Sequence, residues 1–232
     1  MSGTVRRRRI YLMRHGAVTY FDPDGKPFRS DTVPLSPKGV AQAEAAAQAL
    51  AGIAFDRALT SSLPRTWQTA RIVLGDRPLQ PVEVAELREI RSGRLREIPE
   101  DELETTFTQA FAAVTPAGRF LNGETFGSFS ERILPAYRAF CTDPTWTTAL
   151  VVLHGAVNRL ILGDALGIHV TADRPIAFGA IEQDPACINV LDLAADGSVV
   201  IRLVNYTPYS VLEQEIRPTT MEELLLGYRP RS

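Results

Sequence analysis

The sequence predicts an α/β fold, a three-layer α/β/α sandwich in which helices cover both faces of a mainly parallel central sheet. Strand-like and helix-like segments alternate from the start of the chain, as they do in parallel sheets with helical crossovers. The most apolar segments, 10–13 and 149–153, lack the polar alternation of a half-exposed strand, which indicates strands buried on both faces. Each of these two segments runs directly into a His-Gly pair.

The clearest element signals lie in the first third of the chain. Ser36 and Pro37 are typical of a helix N-cap and first helical position, and strong helix formers follow as far as Gly52. The run Thr60–Ser62 similarly predicts a cap before a helix. The expected elements are a strand over 10–13, a helix over 37–51, a strand over 55–59 and a helix over 64–74.

The middle of the chain interrupts this alternation. Helical patterns cover 100–114 and 125–140, and turn-forming residues separate them. We expect residues from about 98 to 140 to form a helical cap insertion over the edge of the sheet where ligands bind. Four of its phenylalanines either pack the insertion or line a pocket: Phe107, Phe111, Phe120 and Phe126.

The alternation resumes after the insertion. The expected elements are a strand over 149–153, a helix over 156–166 and two strands over 187–193 and 198–205. Asp196-Gly197 predicts a hairpin turn between the last two strands.

Length and charge limit the classes of protein that fit. A chain of 232 residues is compatible with one large domain, so a single domain over 1–232 is expected. With 25 Lys and Arg against 27 Asp and Glu, no overall positive field attracts nucleic acid or an anionic membrane. The basic run Arg6–Arg9 is the one basis for an alternative role in nucleic-acid binding, and the apolar run behind it is too short for a signal peptide.

The two cysteines, Cys141 and Cys187, are far apart and in no CxxC spacing. This excludes a disulfide framework and a cysteine-based zinc site, and it indicates a reducing compartment. No segment approaches the roughly 18 apolar residues of a membrane span. We therefore expect a cytoplasmic protein with neither a membrane nor a nucleic acid as partner.

Two of the three histidines, His15 and His154, occupy the same local pattern of buried strand, His and Gly. In open α/β sheets ligands bind outside the carboxyl ends of the strands, so both imidazoles are expected over one edge of the sheet. Arg14 adjoins His15, and Arg65 opens the helix after the second strand. The third histidine, His169, is interpreted as structural.

Two guanidinium groups and two imidazoles at one edge form a site for a dianion, because planar guanidinium donors match phosphate oxygens. The sequence has no acidic cluster with magnesium-type spacing and no GxxxxGK loop, so neither a metal ion nor a cofactor is expected. A neutral imidazole is a competent nucleophile toward phosphorus. The leaving oxygen then needs a proton, for which Glu89 is the best candidate and Glu86 its rival.

Six motifs together resemble the histidine phosphatase superfamily, phosphoglycerate-mutase-like branch, over about residues 9–205. They are Leu12-Met-Arg-His-Gly16, Pro34-Leu-Ser-Pro-Lys-Gly39, Thr60-Ser-Ser-Leu-Pro-Arg-Thr66, Leu87-Arg-Glu-Ile90, Gly123-Glu124 and Val151-Val-Leu-His-Gly155. The resemblance implies an α/β/α sandwich and a phosphohistidine intermediate. It implies that His15 is the nucleophile, Arg14 and Arg65 the phosphate clamps, His154 the second phosphate-binding histidine, and Glu89 the proton donor and later base.

Departures from the family pattern concern the substrate more than the chemistry. The family usually has Thr and Asn where this chain has Val18 and Phe21, so one polar phosphate contact is either missing or supplied by another residue, Asp22 or Arg29. The usual Gly-x-Trp-Glu-Gly segment reads Gly93-Arg-Leu-Arg-Glu97. These departures weaken the resemblance to phosphoglycerate mutases.

We therefore expect a metal-independent phosphomonoester hydrolase whose substrate is a small or medium phosphorylated metabolite. Tyr20, Phe21 and Phe28 either form apolar walls for the substrate or only pack. Two alternatives remain, a phosphomutase of the same family and a non-catalytic phospholigand-binding protein. The sequence predicts neither the particular ester nor the oligomeric state.

Overall fold

The computed structural model describes residues 7–210 and 217–228, so Arg6 of the basic run lies outside the described residues. The strands are β1 (Arg8–Arg14), β2 (Arg57–Thr60), β3 (Val82–Glu83), β4 (Thr148–Leu153), β5 (Ile188–Leu193) and β6 (Val199–Tyr206). The α-helices are α1 (Pro37–Ala49), α2 (Pro64–Leu74), α3 (Leu103–Thr108), α4 (Phe126–Thr142), α5 (Gly155–Ala165) and α6 (Thr220–Tyr228).

The strands form one sheet in the order β3-β2-β4-β1-β5-β6. The first four strands in this order pair in parallel, whereas β5 runs antiparallel to both β1 and β6. The prediction of a mainly parallel sheet is confirmed. The predicted hairpin joins β5 to β6, with Gly197 at a φ of 84° that glycine adopts without strain.

Successive residues of the central strands enter separate cores on the two faces of the sheet. On one face Ile10 and Leu12 of β1 pack with α4 and α5, and on the other Tyr11 and Met13 pack with α1 and α2. The alternation follows from the two-residue period of a strand, and both faces are apolar because helices cover both. This arrangement confirms the predicted three layers.

Two of the four arginines in the basic run have partners within the fold. Arg8 donates to the carbonyl oxygens of Cys141 and Asp143, and its guanidinium lies over the Trp146 ring. The Arg9 guanidinium pairs with the Asp192 carboxylate at 2.6 Å. These contacts tie the first strand to its neighbours.

The predicted starts of α1 and α2 are both correct, whereas the predicted N-terminal cap is correct for α1 only. The Ser36 hydroxyl accepts from the backbone N–H of Gly39 at 3.1 Å, which is the expected N-cap bond. The cap predicted over Thr60–Ser62 does not form, because Leu63 is the N-cap residue of α2 and makes no side-chain cap bond. The Ser61 hydroxyl instead forms a hydrogen bond with Nε2 of His154.

The helix predicted over 100–114 is wrong beyond Thr108. A single 3-10 turn at Glu100–Glu102 leads into the short α3. The chain then leaves the helix, because Val114 and Ile176 exchange two backbone hydrogen bonds of 2.8 and 2.9 Å. This pairing joins segments distant in sequence, so no local pattern indicates it. The helix predicted over 125–140 forms as α4, two residues longer at its end.

Helix α6 has no counterpart among the sequence predictions. It packs against α3, where the Tyr228 ring stacks on Phe107 at a centroid distance of 6.0 Å. The same ring lies 5.6 Å from that of Phe21 in the loop after β1. The helix therefore joins the segment predicted as a cap to the loop that follows His15.

Two glycines allow α1 to approach the loop after β1. A Cβ added to Gly39 would lie 2.0 Å from the carbonyl oxygen of Ala17, and one added to Gly16 would lie 2.4 Å from that of Gly39. The approach is held by a 2.9 Å bond from the N–H of Ser36 to the Ala17 carbonyl. Side chains at these positions would push α1 away from the residues that follow His15.

The substitution Gly39→Ala tests this contact. Alanine at a helical position ordinarily favours the helix by roughly 0.5–1 kcal/mol. Here the close backbone contact reverses the sign, and we expect the free energy of unfolding to fall by about 1–3 kcal/mol. Urea unfolding measures the change. The control is Gly52→Ala, where no atom lies within 4 Å of the added Cβ and the effect should stay within about 0.5 kcal/mol. A stabilised Gly39→Ala variant would contradict the structural role of this contact.

Candidate active site

The two histidines of the repeated pattern meet at the carboxyl ends of neighbouring strands. His15 follows β1 and His154 follows β4, and these strands pair in parallel. The backbone N–H of His15 donates to the Leu153 carbonyl at 3.0 Å. Both side chains are buried, and their ring centroids lie 5.2 Å apart. The structure thus brings the two imidazoles together as the sequence predicts.

A backbone carbonyl determines the tautomer of neutral His15. The ring Nδ1 lies 2.7 Å from the Gly16 carbonyl oxygen, which can only accept, so Nδ1 carries the proton. The lone pair is therefore on Nε2, which accepts from Arg65 Nε at 3.2 Å. Burial lowers the pKa of His15 well below 6.5, and the positive charges of Arg65 and Arg14 lower it further. The ring is neutral at neutral pH.

His154 is held at the start of α5, where it is the N-cap residue. Its Nε2 lies 2.7 Å from the Ser61 hydroxyl, and its buried Nδ1 has no hydrogen-bond partner among the described residues. Burial is the largest effect that lowers the pKa of His154, followed by the charge of Arg65. The adjacent N-terminus of α5 adds free N–H groups and partial positive charge to the site.

Arg14 and Arg65 are buried beside the two imidazoles. Arg65 NH1 donates to the Ser30 carbonyl at 2.6 Å, in the loop after β1. Arg14 NH1 donates to the carbonyl of Gln183 at 2.6 Å and to the hydroxyl of Thr220 at 3.0 Å. Arg14 Nε is buried and has no partner in the part of the chain that the structure describes. Neutral groups therefore accept from only some of the N–H donors of each guanidinium group.

Glu89 lies at the same site, and Glu86 does not. The Glu89 carboxylate accepts from the backbone N–H of Ala156 at 3.1 Å, in the first turn of α5. Its second oxygen accepts from the N–H of Ile90 at 3.0 Å. Glu86 is exposed and borders a separate groove of about 660 Å³ beside α4. The structure thus distinguishes two carboxylates that the local sequence leaves as rivals.

The segment that carries Glu89 is held by an ion pair that the sequence predictions missed. Arg132 of α4 donates to the Arg88 carbonyl at 2.9 Å and pairs with the buried Glu124 carboxylate at 2.9 Å. Burial opposes ionisation of Glu124, but hydrogen bonds from Arg132 and Arg91 lower its pKa overall. Glu124 therefore holds Arg132, and Arg132 in turn holds the backbone of the segment that carries Glu89.

A pocket of about 1050 Å³ opens onto Arg14, Arg65 and Glu89. Its aromatic lining residues are Tyr20, Phe21, Phe28, Phe107, Phe111, Phe120 and Tyr228. Phe107, Phe111 and Phe120 also pack in the core, as does Phe126, which does not line the pocket. Among the residues considered for the missing polar contact, Arg29 lines the pocket, whereas Asp22 accepts from the N–H groups of Asp24 and Lys26 in its own turn. The pocket is large enough for an ester with an apolar body.

His169 lies outside the site. It is exposed, and its Nδ1 is 3.3 Å from the carboxylate of Asp164 at the end of α5. Across the described ranges, no group of three or more His, Cys, Asp or Glu side chains is placed to hold a metal ion. The helices of residues 7–210 and 217–228 include none with the length and apolarity of a membrane span.

Comparison with known proteins agrees with the geometry. A family model of the histidine phosphatase superfamily (branch 1) matches residues 10–206. An adenosylcobalamin/alpha-ribazole phosphatase of Escherichia coli is 30% identical over 192 residues, which are 80% of this chain and 90% of the relative. A probable phosphoglycerate mutase of Cronobacter sakazakii is 30% identical over 168 residues, 71% of this chain and 78% of the relative. Relatives thus include both phosphatases and a mutase.

A plant protein is similar over a longer stretch. A probable 2-carboxy-D-arabinitol-1-phosphatase of Arabidopsis thaliana is 30% identical over 216 residues, 88% of this chain. This chain spans less than half of that relative, since the match covers 43% of its length.

Solved structures show the same fold. A putative alpha-ribazole-5'-P phosphatase from Escherichia coli superposes with a TM-score of 0.69 and 27% identity, over 85% of this chain and 96% of that chain. The alpha-ribazole phosphatase from Shigella flexneri gives a TM-score of 0.69 at 25% identity, over 85% and 96%. The family model covers most of the sheet and both histidine motifs, and this chain therefore belongs to the histidine phosphatase superfamily, branch 1.

Proposed function

We propose that the protein is a metal-independent phosphomonoester hydrolase that works through a phosphohistidine on His15. The observation that carries the proposal is the state of the His15 ring. Its proton is held on Nδ1 by the Gly16 carbonyl, so the Nε2 lone pair points toward Arg65 in a buried site. A neutral nucleophile beside buried guanidinium groups suits attack on a phosphoryl dianion.

In the first transfer, Arg14, Arg65 and His154 hold the phosphoryl group at the N-terminus of α5. His15 Nε2 forms a bond to phosphorus as the bond to the ester oxygen breaks in line with it. Glu89, carrying a proton in the substrate complex, donates it to the leaving oxygen. The products of this step are the free alcohol and the phosphohistidine.

In the second transfer, water replaces the alcohol. Glu89 is now a carboxylate and takes a proton from the water as its oxygen bonds to phosphorus. The bond from phosphorus to Nε2 breaks, and the electron pair returns to the imidazole. Inorganic phosphate leaves, and both His15 and Glu89 have regained their initial states.

The pocket supports a substrate with a sizeable and partly apolar alcohol. A volume of about 1050 Å³ exceeds what the phosphoryl group fills, and aromatic rings form much of the wall. Phe107, Phe111 and Phe120 come from the segment 98–140, which we propose to act as a cap within a single domain. Relatives of 30% identity carry the names of phosphatases and of a probable mutase, so the products of the reaction distinguish the two.

The first test is release of inorganic phosphate in the presence of EDTA. The substrates are an aryl phosphate, sugar phosphates, phosphoglycerates, nucleotides and a ribazole-type ester. We expect release by the wild type and none by His15→Ala, because the phosphohistidine cannot form. The matched control is His169→Ala, which removes an exposed histidine outside the pocket and should keep full activity.

The outcomes of this test separate the candidate functions. Full activity of His15→Ala would exclude the mechanism. A phosphoglycerate that isomerises without loss of phosphate would favour a mutase. Binding of esters without any turnover would favour a phospholigand-binding protein.

The substitution Glu89→Gln tests the proton donor. Removing a positioned acid should slow the first transfer by about 10²–10⁴-fold for alkyl phosphates, whose leaving oxygens need a proton. The loss should be much smaller for p-nitrophenyl phosphate, because its phenolate leaves without one. Glu86→Gln is the control, since Glu86 is exposed beside a different groove. An equal loss for both classes of ester would contradict the role of Glu89 as acid.

Because the pKa of His15 is lowered, we expect the protein to stay active at pH values below the usual pKa of histidine. The folded-state pKa lies below 6.5, so the ring stays neutral and nucleophilic as the pH falls through about 6.5. We expect kcat/KM, corrected for ionisation of the substrate, to show no His15 transition near pH 6.5. NMR titration of the imidazole resonances, with His15→Ala used for assignment, measures the ring directly. A His15 resonance that titrates near pH 6.5 would show the site to be more hydrated than the structure indicates.

A further inference from the structure

Thr220, the first residue of α6, contacts the guanidinium that the proposed function places on the substrate phosphate. Its hydroxyl lies 3.0 Å from Arg14 NH1 and 2.9 Å from an oxygen of the Glu182 carboxylate. Thr220 and Arg14 are 206 residues apart in sequence, so this contact depends on α6 being packed at the site. Beyond Thr220, three residues of α6 line the pocket: Met221, Leu224 and Tyr228.

The direction of the two hydrogen bonds is determined by their partners. A guanidinium can only donate, and an ionised carboxylate can only accept. The Thr220 hydroxyl therefore accepts from Arg14 and donates its single proton to Glu182. Its single proton is committed to Glu182 and one of its two lone pairs to Arg14, which makes its rotamer specific.

The Glu182 carboxylate supplies negative charge to two buried arginines, to Arg159 directly and to Arg14 through the Thr220 hydroxyl. The same carboxylate oxygen accepts from Arg159 NH2 at 2.7 Å and from the backbone N–H of Gln183 at 3.0 Å. The Gln183 carbonyl in turn accepts from Arg14 NH1. Arg14 is thus held on one side by a carbonyl and a hydroxyl, and only the hydroxyl transmits the charge of Glu182 through a hydrogen bond.

The start of α6 does not need the Thr220 hydroxyl. The preceding residue, Thr219, forms a reciprocal capping box with Glu222: the Thr219 hydroxyl accepts from the Glu222 N–H at 3.3 Å, and the Glu222 carboxylate accepts from the Thr219 N–H at 2.6 Å. The capping function and the contact with Arg14 are therefore carried by two different threonines. This division allows the two to be tested separately.

We propose that Thr220 is a positioning residue for the phosphate site, which holds Arg14 NH1 so that Arg14 Nε faces the phosphoryl group. Once both N–H groups of NH1 are committed, the unpartnered, buried Nε is a donor available to a phosphate oxygen. This inference rests on the proposed role of Arg14. It makes α6 part of the phosphate site as well as of the pocket wall.

The test measures binding of inorganic phosphate by calorimetry, which requires no turnover. The isosteric substitution Thr220→Val removes the hydroxyl, and we expect it to weaken phosphate binding by about 10-fold, the usual effect of one hydrogen bond to a charged group. Thr220→Ser restores the hydroxyl and should bind within about 2-fold of the wild type. In turnover of aryl phosphate, Thr220→Val should raise KM more than it lowers kcat.

Thr219→Val is the matched control. It removes one bond of the capping box and leaves the contact with Arg14 in place, so it should lower the unfolding temperature without weakening phosphate binding. Thr220→Ala is measured beside Thr220→Val, in case the branched valine prevents folding. Unfolding temperatures of all variants show whether α6 remains packed.

Each outcome decides the proposal. Weaker phosphate binding in Thr220→Val and Thr220→Ala, with recovery in Thr220→Ser, supports it. Unchanged binding in the first two, or an equal loss in Thr219→Val, would overturn it, because the hydroxyl would then have only a structural role. A wild type that binds phosphate but hydrolyses no ester would remove the proposed hydrolase and leave the positioning role intact. A wild type that releases phosphate from esters but binds no inorganic phosphate would overturn the positioning role and leave the hydrolase intact.

Discussion

The arrangement of this site depends on the burial of two guanidinium groups beside two imidazoles. Burial lowers the pKa of both imidazoles, the nearby guanidinium charges lower it further, and the rings therefore stay neutral. The hydrogen-bond partners of Arg14 and Arg65 in the described ranges are carbonyls, a hydroxyl and an imidazole. A dianionic phosphoryl group would complement this positive charge directly, and the same charge adds to the effect of burial in keeping His15 neutral.

Much of this arrangement follows from local sequence. A parallel sheet places the residue after each strand at one edge, so two His-Gly pairs that follow apolar runs are expected to meet there, and they lie 5.2 Å apart. The arginines are predicted because each adjoins a strand end or a helix start. Ser36 likewise caps α1 as its position before Pro37 indicates.

The remainder depends on contacts between distant segments, which local patterns do not record. The helix predicted over 100–114 ends at Thr108 because Val114 pairs with Ile176. The sequence predicts Ser61 within a helix cap, but the Ser61 hydroxyl forms a hydrogen bond with His154. Helix α6 does carry a local signal, the Thr219/Glu222 capping box before an apolar run, which the sequence predictions missed. Its place beside Arg14 is set by tertiary packing. Glu89 differs from Glu86 only through the first turn of α5, which lies 67 residues away in sequence.

Arg65 contacts both the His15 ring and the loop after β1 that lines the pocket. Its Nε contacts the His15 ring, and its NH1 holds the Ser30 carbonyl in the loop that also carries Phe21 and Phe28. A change in the backbone of that loop is therefore transmitted to the His15 ring through a single rigid guanidinium. In the proposed hydrolase, a substitution in the loop that admits a new ester must therefore also keep the Ser30 carbonyl oxygen in place. The effect of one loop substitution then depends on the others. Replacing a loop side chain such as Phe28 leaves the Ser30 carbonyl bonded to Arg65, whereas an insertion or deletion beside Ser30 shifts that carbonyl.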